Sequence, residues 1–494
     1  MTITSQPFDR NIEGGLCFII FFSPFAFGST QVWAYTIIEL VSICLITIWF
    51  IQRIFKKKKD KWNKSKSYPL ILIPISLFIF LILFQLLPVP PQFIQHISPN
   101  TYKLYAQTLP DWPVLKDSRS TPLELTTLKR RSLSIHSRAT SIELIKILTY
   151  IGIFFLVITT IKTRQQIKRI VIMIIITGFL LSLFGIFQYF TWNGKIYWFN
   201  ELTHGGTPFG PYVNKNHFAG YMVMVIPLAI GFLISPSRID NFEFGRSRYY
   251  LTDFESQISR NILLVFMVII MIAALFLTLS RGGIMSFLLS MVFLTSLSLS
   301  SRRSKKKGTL FLIIIFTFSS LFLIWLGIDP IIDRLSTLKN TDKIGHQRLS
   351  VYRDTTQIIG DFPLLGTGLG TFKDIYPSYR TTESTLTFNH AHNDYLEILS
   401  DTGLLGGILI IGALLVILVI ITKRLANRRN PFVVSITLGG ITGIVAMLFH
   451  SIADFNMHIP ANATMFCIIL ALTLTVVEMK TIRKRKSKKQ HFKR

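Results

Sequence analysis

Cysteine is almost absent from this chain, acid is scarce, and stretches polar enough to link soluble domains are few. The three cysteines, Cys17, Cys44 and Cys467, all fall inside apolar runs, so neither a disulfide framework nor a Cys-rich zinc site can be built from them. Asp and Glu number 25 against 53 Lys and Arg, a net charge of +28 over 494 residues. Charged residues make up only 16% of the chain and hydrophobic ones 50%, which excludes a disordered basic protein. What the chain has instead is a series of apolar runs of roughly 17–23 residues, the length that crosses a bilayer core of about 30 Å. That pattern predicts an all-α polytopic membrane protein and excludes a soluble globular enzyme.

Twelve such runs are visible, at 14–30, 33–52, 69–88, 143–160, 167–190, 218–234, 261–279, 284–300, 309–327, 396–422, 432–450 and 462–480. The first lacks a convincing cleavage site and reads as a retained helix rather than a signal peptide. Gly178, Gly185, Gly412 and Gly443, inside the runs, are expected to be points of close helix packing. Basic residues cluster between runs, as at Lys56 to Lys59, Arg302 to Lys307 and Arg483 to Lys489. This suits topology anchors on anionic lipid headgroups better than nucleic-acid binding. With the N-terminus inside, the inner connections hold 35 Lys and Arg and the outer ones 17, although the outer ones are longer in total. The bias places both termini in the cytoplasm.

Three outer connections differ in content. The 328–393 segment is long enough for a small cap between spans nine and ten and carries an amphipathic stretch from Gln347 to Ile359. The 191–217 segment is rich in Trp, Tyr, Phe, Gly and Asn, and 89–142 mixes Pro, Ser and Thr without a clear period, as a partly ordered surface segment would.

The densest polar cluster is Asn389-His390-Ala391-His392-Asn393-Asp394-Tyr395-Leu396-Glu397. Asp394 and Glu397, three residues apart, resemble a capping box opening a helix, which leaves His390 and His392 on the turn before it at the outer surface. A helix N-terminus there offers unpaired N–H groups and positive potential to a phosphate. A metal site competes: His390, His392 and Asp394 could supply ligands, and His450, Asp454 and His458 recur at helical spacing. Neither spacing is diagnostic, Pro460 suggests that His458 lies beyond the helix end, and no metal or other cofactor is expected to be required. Arg281, in Ser280-Arg281-Gly282-Gly283, stands alone between two apolar runs on the outer side, where the bias of inner cations does not explain it. The stretch 205–220 combines turn formers with Asn214, Lys215, Asn216 and His217, a set that suits a sugar or diphosphate, with aromatics for the sugar face. The glycines of Gly366-Thr367-Gly368-Leu369-Gly370 lack the spacing and the βαβ setting of a nucleotide loop and are expected to make turns.

These motifs resemble the O-antigen ligase/polymerase family of bacterial inner-membrane proteins. His392-Asn393, nine residues, then Gly403-Leu404-Leu405-Gly406 match the family's His-(Asn/Ser/Gln)-x9-Gly-x-x-Gly pattern. The Asn214-Lys215-Asn216-His217-Phe218-Ala219-Gly220 segment and the Ser280-Arg281-Gly282-Gly283 turn occur in the family's order. Asp454-Phe455-Asn456 and Ile459-Pro460-Ala461-Asn462 are similar too. The resemblance covers 205–462, between N-terminal spans in 1–204 that match only in hydropathy and a last span with a basic tail in 463–494. The family's arginine before the Gly-Thr pair is replaced here by Thr203 and His204, which leaves Lys215 or Arg348 to supply a second phosphate-binding cation.

The resemblance implies transfer of a glycan from undecaprenyl diphosphate to an acceptor hydroxyl on the periplasmic side of the inner membrane, in surface polysaccharide assembly. Acceptors in the family are a further glycan, a lipid A-core or a protein hydroxyl. A diphosphate is already a good leaving group, so the expected reaction is a metal-independent inverting displacement. Arg281 holds the diphosphate and His392 acts as base or positions the acceptor. Asn214, Lys215, His217, Arg348, His390, Asn393 and Asp394 are the expected substrate contacts. A lipid-linked glycan transporter or a non-catalytic scaffold is the alternative, but its polar groups should lie near the bilayer midplane rather than at the outer ends of spans.

Overall fold

The computed structural model describes residues 7–55, 68–110, 112, 130–201, 206–235, 249–300, 342–382 and 387–479. In chain order the helices are α1 (Pro7–Phe25), α2 (Val32–Phe55), α3 (Tyr68–Leu86), α4 (Pro91–Ile97), α5 (Pro99–Thr108), α6 (Ser137–Thr160), α7 (Arg164–Phe190) and α8 (Lys215–Ile234). They continue as α9 (Tyr249–Leu277), α10 (Arg281–Ser300), α11 (Asp342–Asp361), α12 (Phe372–Ile375), α13 (Asp394–Ala426), α14 (Pro431–His450) and α15 (Pro460–Glu478). Among the described residues there are isolated β-bridges but no strands. Nine of these helices are long and apolar enough to cross a membrane: α2, α3, α6, α7, α8, α9, α13, α14 and α15. The protein is an all-α polytopic membrane protein. The apolar run 309–327 and the basic segment before it lie outside the described residues.

Burial sorts the helices into a centre and a rim. The most apolar windows of α8 and α15 are each 89% buried, against 22% in α2 and 28% in α3 and α13. A helix apolar all round and enclosed on every side is central, while one that leaves most of an apolar window uncovered faces lipid. Helix α8 crosses α14 backbone to backbone. A Cβ on Gly231 would meet the Ser435 carbonyl oxygen at 2.5 Å, and one on Gly443 would meet that of Met224 at the same distance. Gly439 and Gly443 form the small-x3-small spacing that lets membrane helices approach closely. Gly178 and Gly185 also sit in tight contacts, against Val225 and Phe209, but Gly412 faces open space, so the expectation of a packing role there is corrected.

The outer segments carry more structure than their sequence suggested. Within 89–142, Pro91 and Pro99 each open a short helix, where a missing N–H costs nothing. Ile94, Tyr102, Tyr105, Trp112 and Leu133 pack together beneath them. Helix α11 contains the expected amphipathic stretch and buries Val351 and Ile358 against Phe362, Phe372, Ile375, Tyr376 and Ala391. This small cap therefore packs directly on the turn that carries His390 and His392.

Helix α13 is broken at Gly403, whose φ of 64° and ψ of −173° are open essentially to glycine alone. The 363–371 loop fills the break. Leu404 and Leu405 N–H groups donate to the Pro363 and Leu364 carbonyls at 2.8 and 3.3 Å, and Thr367 and Gly368 N–H groups donate to Ser400 and Asp401 carbonyls at 3.0 and 2.9 Å. Gly366, Gly368 and Gly370 all have positive φ, as turn residues. Gly403, the first glycine of the Gly-x-x-Gly, is thus the docking point for the cap, while Gly406 packs near Thr402 and Leu81. We expect Gly403→Ala to cost roughly 2 kcal/mol or more through backbone strain, because its Cβ would also fall 2.3 Å from the Leu364 carbonyl carbon. A clear drop in the melting temperature of detergent-purified protein checks this; an unchanged one refutes it.

Candidate active site at one end of the bundle

Helix direction gathers the predicted motifs at one end. The starts of α8, α10, α13 and α15 and the ends of α9 and α14 all lie there. At the opposite end, Arg169 pairs with Glu13 and Arg424 with Glu478.

The first polar cluster is centred on Asp454, which is 1% exposed in the turn between α14 and α15. Its Oδ1 lies 3.5 Å from His392 Nδ1 and 3.9 Å from His217 Nε2. Burial alone would raise this carboxyl, but the imidazoles of His392, His217 and His450 hold it below its ordinary value, so it stays ionised. His392 has φ +53°, a left-handed conformation that is uncommon for a residue with a side chain. Tyr352 of α11 locks it by donating its hydroxyl to the His392 carbonyl at 2.8 Å. Arg348, one turn earlier, donates to the Ala453 carbonyl at 3.1 Å, beside Asp454. Buried His392 Nδ1, His217 Nε2, His450 Nδ1 and Asp454 Oδ2 have no hydrogen-bond partner among the described residues. Such a concentration of unsatisfied polar atoms is rare in a purely structural core.

Phe455 borders the second cluster as well as the first. That ring stacks on His390 at 4.3 Å between centroids and meets His392 edge-on at 4.9 Å. Glu397 accepts from the Ala391 N–H at 2.9 Å and lies 2.7 Å from His390 Nδ1 and 3.2 Å from His458 Nε2. Asp394 lies 3.0 Å from His458 Nδ1 and accepts from the Met457 N–H. Although burial works against the charge, Glu397 and Asp394 together push His458 up to about 10.

This geometry corrects several expectations. Asn393, not Asp394, caps α13, accepting from the Tyr395 and Leu396 N–H groups, and Glu397 turns to His390 and Ala391 instead of closing a capping box. His390, His392 and Asp394 are not one ligand set, because they face Glu397, Asp454 and His458 respectively. His450, Asp454 and His458 do not share a helix face, because α14 ends at His450. Asn214 caps α8 through the Asn216 N–H, so the side chains of Asn214, Asn393 and Asp394 are engaged in holding the fold. Phe209 and Tyr212 are buried packing groups rather than a sugar platform, and Tyr212 donates to Asn462 at 3.2 Å.

The remaining residues frame the clusters. Asn216 accepts from the Ser280 hydroxyl at 2.8 Å, tying the start of α8 to the turn before α10. Arg281 is exposed at the first position of α10, and Gly282 beside it packs on His450. Lys215 is half-buried on the first turn of α8. A cation at a helix N-terminus opposes the helix dipole, which makes sense where the end of the helix and the cation serve the same anion. Thr203 and His204 lie outside the described residues. Sequence reasoning weighed Asp454 and His458 only as metal ligands and Glu397 only as a cap, and left out Tyr352. An acid and a histidine in a short turn between two apolar runs were the available signal for the first two.

The fold and site define a membrane protein with a polar, charged site at one end of a helical bundle. Residues 266–411 match the model of the O-antigen ligase family. The matched segment contains Arg281, Arg348, His390, His392, Glu397 and Gly403. No curated protein matches the chain.

Proposed function

We propose that the protein is a glycosyltransferase that moves a glycan from undecaprenyl diphosphate to an acceptor hydroxyl at the periplasmic face of the inner membrane, as an O-antigen ligase or polymerase does. The observation that carries this is His392, held left-handed on a turn with a buried carboxylate behind its Nδ1. A carboxylate at Nδ1 favours the tautomer protonated there and leaves Nε2 with its lone pair. Nε2 takes the proton of the acceptor hydroxyl as that oxygen bonds to the anomeric carbon. The bond from that carbon to the diphosphate oxygen breaks, and the lipid diphosphate leaves with the electron pair. Arg281 and the N-terminus of α10 offset the charge that develops. Attack opposite the leaving group inverts the anomeric centre, and this displacement calls for no metal at the breaking bond. Arg348 and Lys215 are the cations placed to assist, with His217 and His390 lining the acceptor side. The excess of Lys and Arg in the inner connections supports an arrangement with this site outside.

The test is transfer by purified protein from a lipid diphosphate-linked glycan to a lipid A-core, a glycan or a peptide hydroxyl. The expected result is one preferred acceptor, release of lipid diphosphate and an inverted linkage. Movement of the intact lipid-linked glycan across vesicles without transfer to any acceptor refutes the enzyme in favour of a transporter.

A further inference from the structure

Glu397, Asp394, His390 and His458 form a compact set that the transfer step above does not use as acid or base. Glu397 and Asp394 are 2% and 8% exposed at their side chains, so two carboxylates are buried side by side. Buried carboxylates must be matched by positive charge, which the His458 imidazolium supplies when no ion is bound and which a divalent ion would supply as it displaces the proton. Ligand atoms of His390, Glu397 and His458 lie within 4.8 Å of one another. His458 Nε2 and Glu397 Oε1 are 3.2 Å apart, near the roughly 3.3 Å between ligand atoms around a tetrahedral zinc ion with bonds of about 2.0 Å, and an ion entering the set replaces the 2.7 Å hydrogen bond between His390 and Glu397.

The surroundings orient these groups as those of a metal site do. Asp394 faces His458 Nδ1 at 3.0 Å, an arrangement that holds that ring with Nε2 turned to Glu397. Such a carboxylate behind a ligating imidazole sets its tautomer and raises its basicity. Glu397 Oε2 is occupied by the Ala391 N–H, which leaves Oε1 as the inward-facing atom. Asp394 is itself fixed by the Met457 N–H at 3.1 Å. His390 is 31% exposed at its side chain, so the set is open to solvent on one side.

We propose that His390, Glu397 and His458 bind one divalent ion of the zinc class, with water in the fourth position and Asp394 orienting His458. The ion bridges the turn before α13 to the turn between α14 and α15. These same two turns carry His392 and Asp454, so the ion braces the neighbouring cluster without touching the reacting bond. The site stands whether or not the chain transfers glycans, because binding is measured with the metal alone.

The full-length protein, purified in detergent and stripped with chelator, is titrated with Zn2+ and separately with Co2+ as a spectroscopic reporter. Expected are one ion per chain, the intense ligand-field bands of four-coordinate cobalt, and a rise in melting temperature with zinc. Glu397→Gln, nearly the same shape but a poor ligand, should lose binding, and Asp394→Asn should weaken it by roughly 10- to 100-fold. His390→Ala, a partly exposed position that leaves the buried carboxylates in place, should also lose binding while keeping the metal-free melting transition, so a folding defect in the Gln variant does not decide the matter. His392→Ala should bind normally. Absence of stoichiometric binding to the wild type overturns the proposal. So does full binding by both Glu397→Gln and His390→Ala, or loss of binding in His392→Ala, which moves the ion to the other cluster.

Discussion

His392→Ala is expected to reduce glycan transfer by roughly 100- to 10,000-fold, the range of a positioned general base, while leaving membrane insertion and melting temperature nearly unchanged. The side chain is 20% exposed and its Nδ1 makes no close hydrogen bond, and without it Asp454 keeps His217 and the Phe455 N–H, so removing the imidazole opens little packing. Alanine would still occupy the left-handed turn, because the Tyr352 hydroxyl is bonded to the backbone of residue 392 rather than to its ring. A companion variant separates base from scaffold. Asp454→Asn removes the charge behind Nδ1 but keeps its shape, and should lower the rate of transfer more than it changes substrate affinity. Transfer at wild-type rates by a well-expressed His392→Ala protein sinks the base assignment.

Arg281→Lys is expected to cost roughly 10- to 100-fold in transfer, although the charge is kept. An ammonium offers a point charge where a guanidinium offers two parallel donors to phosphate oxygens. Arg281 also sits at the first position of α10, where a cation opposes the helix dipole, so lysine should not destabilise the fold. Arg281→Ala should cost more than the lysine variant, and the difference between the two measures what charge alone contributes. Normal turnover with bound lipid diphosphate in the lysine variant reduces Arg281 to a membrane-surface anchor.

Much of this protein is written locally along the chain. Apolar run length predicted helices at the places where α2, α3, α6, α7, α8, α9, α13, α14 and α15 form, because a bilayer makes backbone hydrogen bonding and hydrophobic length the dominant constraints. The amphipathic stretch within α11 and the turns at Gly366, Gly368 and Gly370 follow from period and from φ, both properties of a few neighbouring residues. The family resemblance likewise rests on short motifs, and the match over 266–411 agrees with it.

Partner choice inside the site was not local. Spacing suggested that Glu397 caps its own helix, yet a carboxylate takes the strongest donors within reach, and the fold brings the imidazoles of His390 and His458 to it. The residues that divide the histidines into two clusters, Asp454 and Phe455, come from a turn more than fifty positions away from His392. Helix burial has the same origin. Helices α8 and α3 both read as membrane-long apolar segments, but one is enclosed and the other exposed, because Gly231, Gly439 and Gly443 let α8 and α14 meet backbone to backbone. The sequence by itself determined the class of protein and the places where nine membrane-long apolar helices form among the described residues. Tertiary structure decided which helices are central and which acid faces which base, because charge pairing and close packing depend on distances between segments that no sequence interval encodes.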